Sequence, residues 1–237
     1  MVDVGSHWER LAADDPFWAV LTAPAMRGRL WDPAKFYSTG EAEVATILRR
    51  AVDAGASRFL TGSERARALD IGCGVGRATF ALGRRFGEVV GVDIAPSMLR
   101  EARGRIPDGQ RVRFTRSSCT ALPFRSGSFR CVYSMLVLQH QPTPDAILAA
   151  VSEIVRVLEP GGLAAFQAPV KCLASPENGQ TVSRIDLPDG EANMLMTSVS
   201  RERIIRVVED RSCRVMNEHP DPMTGPGFES LTFLVAK

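Results

Sequence analysis

Between residues 67 and 170, short apolar runs alternate with segments of helical spacing about five times. "RARALDIG", "EVVGVDI", "RVRFTRS", "FRCVYSMLVL" and "LAAFQAPV" have the composition of buried strands. "RATFALGRRFG", "APSMLREARGRI" and "PDAILAAVSEIVRVLEPGG" have the spacing of helices. Continuous apolar strands separated by helices specify a parallel sheet covered on both faces, an α/β doubly wound, Rossmann-like architecture. Further on, "RERIIRVVED" is helical, and "SCRVMNE" and "FESLTFLVAK" are two closing strands. These last two are too close for a helical crossover, so an antiparallel pair is expected.

The first strand arrives at "ALDIGCGVGR", where Gly72, Gly74 and Gly76 alternate with other residues. In open parallel sheets, ligands bind at the carboxyl ends of strands, which is where this turn stands. A phosphate-cradling loop of the GxxxxGK[ST] kind needs a lysine, and the only lysines are Lys35, Lys171 and Lys237. The dinucleotide fingerprint ends on a third glycine or alanine. Counted from Gly72 that position is Arg77, and from Gly74 it is Thr79. A nicotinamide-dependent reductase is therefore disfavoured. Asp70 at the strand end repels a pyrophosphate and suits an ammonium or sulfonium charge. A second acid, Asp93, ends the next strand 17 residues beyond Gly76, where it can accept hydrogen bonds from both ribose hydroxyls. A ribose acceptor beside an acid suited to a cation describes S-adenosylmethionine better than a dinucleotide.

Composition removes other classes. A net charge of +2 with scattered arginines points to no nucleic-acid partner. The five cysteines are odd in number and far apart, and the three histidines are dispersed, so neither a disulfide framework nor a metal site is expected. Reduced thiols fit a cytoplasmic chain. The first residues lack the basic and apolar regions of a signal peptide, and no apolar run reaches membrane-spanning length.

Five segments in order, "ALDIGCGVGR", "VVGVDIAPSMLREAR", "ALPFRSGSF", "VYSMLVLQHQPTPDAIL" and "IVRVLEPGGLAAF", resemble the successive motifs of class I S-adenosylmethionine-dependent methyltransferases. The likeness is nearest to the bacterial small-molecule branch and covers roughly residues 60–170. The resemblance implies a seven-stranded, mostly parallel sheet whose last strand is antiparallel. It also implies roles for single residues. Ile94 matches the apolar shelf under adenine, and Met98 is a further candidate there. Ser118 stands where the family commonly carries an acid for the adenine amino group, and Cys119 follows at the position whose backbone amide touches the ring. Ser134 and Met135 end the fourth strand beside the expected sulfonium. Arg130 replaces a usual aspartate, for which a surface role is expected.

Gln139 and His140 are candidates to face the methyl acceptor, with His140 as a general base because its titration range suits one. Tyr37, with Phe36, is placed to close over the cofactor. Cys73 is expected to pack behind the turn.

One domain accounts for the chain. It has an N-terminal helical cap at 1–58 containing the amphipathic segment "EAEVATILRRAVDAG", and a cofactor core at 59–169. A Pro-, Gly-, Asn- and Ser-rich insertion at 170–199 covers the substrate, and 200–237 supplies a helix and strand pair. The expected reaction is in-line methyl transfer to an oxygen or nitrogen atom of a small molecule of natural-product type, in a monomer or homodimer. A non-catalytic S-adenosylmethionine-binding regulator, or an inactive partner subunit, is the alternative on the same fold.

Overall fold

The computed structural model describes residues 4–173, 182–185, 194–225 and 227–237. The chain enters through α1 (Val4–Asp14) and the short α2 (Pro16–Val20). Asp15 caps α2, accepting from Trp18 N at 3.2 Å, and its other oxygen accepts from Arg29 N at 2.6 Å. The helix expected from residue 41 begins earlier, at α3 (Pro33–Ala51). Asp32 accepts from Lys35 N at 2.9 Å and Pro33 opens the first turn, a start signal hidden inside the aromatic lead. Gly55, at φ 84°, kinks the chain before α4 (Ser57–Leu60).

Strands and helices then alternate as β1 (Arg67–Ile71), α5 (Arg77–Gly83), β2 (Glu88–Asp93), α6 (Pro96–Arg103) and β3 (Val112–Arg116). They continue as β4 (Phe129–Ser134), α7 (Pro144–Val157) and β5 (Leu158–Cys172). A small hairpin of β6 (Val182–Ile185) and β7 (Met194–Thr197) follows. The chain closes with α8 (Arg201–Glu209), β8 (Arg214–Pro220) and β9 (Phe228–Ala236). The main sheet has the order β3-β2-β1-β4-β5-β9-β8. Its first five strands run parallel, and β9 lies antiparallel between β5 and β8. That is the expected seven-stranded topology.

Alternation along the strands splits the core in two. Leu69, Ile71, Val90, Val92 and Phe166 pack with Ile147, Ile154 and Ile204 of α7 and α8. Ala68, Val89, Tyr133 and Leu234 pack with Val44, Ile47, Phe80 and Leu82 of α3 and α5. The N-terminal cap adds a third cluster, in which Phe17 stacks on Phe36 at 4.4 Å above Val75, Ala95 and Met98.

The fourth strand stops at Ser134, at the expected end, because Leu136 takes φ 63° and its N–H donates to Gln167 Oε1 at 3.0 Å. The next boundary differs from the sequence reading. Strand β5 starts at Leu158 and passes through Pro160–Gly162 as a bulge instead of ending the helix there. Arg130 has a structural use at that bulge. It pairs with Glu159 at 2.6 Å and donates to Gly161 O at 3.0 Å. Of the insertion expected at 170–199, residues 174–181 and 186–193 lie outside the described residues. No helix among the described residues is long and apolar enough to cross a membrane.

Candidate active site

Strand order reverses between β1 and β4, and the carboxyl ends of β1 to β4 open there onto a cavity of about 650 Å³. Its floor is the turn after β1. Gly72 and Gly74 have φ of 69° and 51°, in the left-handed region that other residues enter only with strain. A side chain at Gly72 would collide with Val137, and one at Gly74 would meet Val20 Cγ2 at 2.8 Å. The turn is thus bare backbone pressed between two walls of the cavity.

Asp93 fixes this turn to β2. Its Oδ2 accepts from Gly74 N at 2.8 Å and its Oδ1 from Ala95 N at 2.9 Å. Burial pushes its carboxyl above the ordinary range, while the amides of Ala95, Gly74 and Ile94 pull it back. Each carboxylate oxygen has a second lone pair, so two hydroxyls can still be accepted.

Gly72, Gly74, Asp93, Ile94, Met98, Ser118 and Cys119 border the cavity together, and Met135, Gln139 and His140 border it as well. Ser118 Oγ lies 2.8 Å from Thr120 Oγ1 and accepts from Thr120 N at 3.2 Å, so this hydroxyl is tied into its own loop. His140 lies edge-on to Trp8 of α1, with ring centroids 4.8 Å apart. The thiols of Cys73 and Cys119 are buried, and burial pushes both up, Cys119 to about 12.

Four expected cofactor residues do not border the cavity: Asp70, Gly76, Ser134 and Tyr37. Asp70 turns toward α5 instead and accepts from Thr79 Oγ1 at 2.6 Å. Complete burial pushes its carboxyl up to about 7, against the pull of Thr79 and Arg77. Its role here is to anchor the turn to the helix that follows. Ser134 donates to Ile71 O at 3.3 Å, bracing two strand ends. Tyr37 donates to Val75 O at 3.0 Å and packs on Phe80, supporting the turn from behind.

Several bordering residues had no individual sequence signal. Trp8 arrives through α1, which Glu9 fastens to α6 by accepting from Ser97 N at 3.0 Å. Helix α6 has no cap of its own, so Glu9 supplies one from a distant segment. Met196, Met223 and Thr224 come from β7 and the turn after β8. Val137 and Met196 reach the cavity only because Leu136 reverses the chain and Thr197 Oγ1 donates to Gln141 O at 2.6 Å.

A family model for a methyltransferase domain matches residues 68–162. The malonyl-[acyl-carrier protein] O-methyltransferase of Laribacter hongkongensis is 41% identical over 134 residues, covering 52% of this chain and 44% of that protein. The ubiquinone biosynthesis O-methyltransferase of Xanthomonas axonopodis pv. citri is 35% identical over 99 residues, covering 41% and 40%. The chain thus spans less than half the length of these curated relatives. Among solved structures, magnesium protoporphyrin IX methyltransferase from Synechocystis, with S-adenosylhomocysteine bound, shares the fold at TM-score 0.59. It is 16% identical, with 84% of each chain covered.

Proposed function

We propose, from the premise that this chain belongs to the class I S-adenosylmethionine-dependent methyltransferases, that it transfers the methyl group of S-adenosylmethionine to an oxygen or nitrogen atom of a small molecule. One observation carries the reading. The Asp93-held glycine turn and the strand ends beside it share a single cavity with Gln139 and His140. The residues present fit the cofactor. Asp93 has lone pairs to spare for the ribose hydroxyls, and Ile94 and Met98 offer an apolar shelf for adenine. The Ser118–Cys119 loop after β3 borders the same cavity, and the turn at Gly72 and Gly74 presents backbone to it for the amino-acid part.

When bound, S-adenosylmethionine supplies a methyl whose bond to sulfur breaks as its bond to the acceptor atom forms, with sulfur keeping the electron pair and the acceptor's proton departing. The chain's own contribution is alignment and exclusion of water. α1 and the segment around Val20 roof the cavity through Val4, Trp8 and Val20. His140 is the one histidine on the wall, and we assign it the acceptor's proton where the acceptor arrives protonated. The name of the ubiquinone biosynthesis relative supports a small-molecule acceptor, while the malonyl group named for the other relative is carried on a protein.

The test is calorimetric titration with S-adenosylmethionine, S-adenosylhomocysteine and NADH in parallel. Saturable binding of the first two, without NADH binding, is the expected result; NADH binding alone overturns the proposal.

A further inference from the structure

Gln139 presents a problem that the cofactor does not solve. It borders the cavity at 5% exposure, yet its side-chain carbonyl Oε1 has no hydrogen-bond partner. A buried, unpaired acceptor is destabilising, and a ligand that donates a hydrogen bond to it relieves that cost. Its backbone is firmly held. Leu138–His140 forms a 3-10 turn, with Leu136 N bound to Gln167 on one side and Gln141 O bound to Thr197 on the other. Oε1 itself is covered, so it meets a ligand in the cavity by a turn of the terminal torsion, which is broad for glutamine. Thr224, at 4% exposure, borders the same cavity with its hydroxyl also unpartnered.

The surroundings state what else the ligand must be. Met135, Met196, Met223 and Trp8 give the wall large, polarisable apolar surfaces. Among the described residues, no lysine or arginine borders the cavity, and Asp93 is its one carboxylate. An anionic acceptor would lose its hydration there and gain no countercharge from the protein.

We propose that the wall formed by Trp8, Gln139, Met196, Met223 and Thr224 binds a neutral, mainly apolar acceptor that presents an O–H or N–H group to the Gln139 side-chain carbonyl. This rests on the methyltransferase reading above and narrows it to a substrate class.

Three naphthalene probes of one shape decide the matter: 2-naphthol, its methyl ether and 2-naphthoate, each titrated into protein saturated with S-adenosylhomocysteine. The naphthol should bind about fivefold or more tighter than the ether, the value of one neutral hydrogen bond. The naphthoate should bind most weakly of the three. In Gln139→Leu, with folding checked by its melting curve, the naphthol–ether difference should vanish. Absence of naphthol binding, an ether or naphthoate that matches it, or a difference that survives in Gln139→Leu overturns the proposal. Failure of S-adenosylhomocysteine itself to bind counts against the methyltransferase reading instead. The same probes titrated into the free protein then still decide the subsite.

Discussion

The Arg77 guanidinium donates to both carboxylate oxygens of Glu43, at 2.9 and 2.8 Å, beneath the glycine turn. Arg77 occupies the position where a dinucleotide fingerprint would end in glycine, and the structure gives it a different purpose. Tyr133 of β4 donates to the same Glu43 at 2.7 Å, and Arg77 also donates to Thr39 at 3.3 Å. One ion pair therefore ties α3 to the start of α5 and to the central sheet. The turn is held from below by Arg77 and Asp70, and from the cavity side by Asp93.

Breaking that pair should be costly. The Arg77 side chain is 6% exposed and that of Glu43 20%, so Arg77→Ala strands a carboxylate with little water to receive it. We expect a loss of about 3–5 kcal/mol in urea unfolding. The double change Arg77→Met with Glu43→Gln should recover much of this, because neither partner is left charged. A single variant as stable as the parent would show that the pair does not support the fold.

The sheet was legible because its evidence is local. Each buried strand has its own apolar run, and the glycines of the turn stand within five residues of one another. Asp93 was legible through its distance from that turn. The supports were not. Arg77 and Glu43 are 34 positions apart, and neither has an apolar pattern to mark it as buried. Asp70 was read as facing a cation because strand ends point at ligands, but the Thr79 hydroxyl offered it a nearer partner. Trp8, Met196 and Thr224 meet at the cavity through long-range folding alone, and no spacing rule connects them.

Gly72 should tolerate no side chain. Alanine there would have to adopt φ near 69° and displace Val137 from the cavity wall. Backbone strain and the clash together should cost about 2–5 kcal/mol of stability. S-adenosylhomocysteine binding should fall at temperatures where the variant is still folded, because the turn shifts. Unchanged melting and unchanged binding would mean that the turn is looser than its packing implies.

Asp70 should make stability depend on pH. In the folded chain its carboxyl titrates at about 7, whereas in the unfolded chain it does so near its ordinary value of about 4. Between those pH values the folded state holds the extra proton, so stability should fall as pH rises and level off above about 7. Asp93 is shifted in the same direction and adds to the trend. The part due to Asp70 cannot exceed about 1.4 kcal/mol per pH unit. Asp70→Asn keeps an oxygen for the Thr79 hydroxyl and should flatten the slope in urea melts across this range. A slope identical to that of the parent would remove Asp70 as its source.

Asp93 should serve both cofactor binding and folding. Its two oxygens already hold Gly74 N and Ala95 N, so Asp93→Ala releases the turn as well as the ribose acceptors. We expect S-adenosylhomocysteine affinity to fall by about 1–3 kcal/mol, together with a lower melting temperature. Asp93→Asn keeps one side-chain oxygen but replaces the other with an amide that donates. Its oxygen can still accept at one of the two backbone N–H groups, but its amide faces the other N–H donor to donor and engages a ribose hydroxyl only by donating. Its affinity should fall between those of the parent and the alanine variant, measured by calorimetry at a temperature where all three are folded. If both variants bind S-adenosylhomocysteine as the parent does, the ribose lies elsewhere, and the Asp93 carboxylate serves the turn alone.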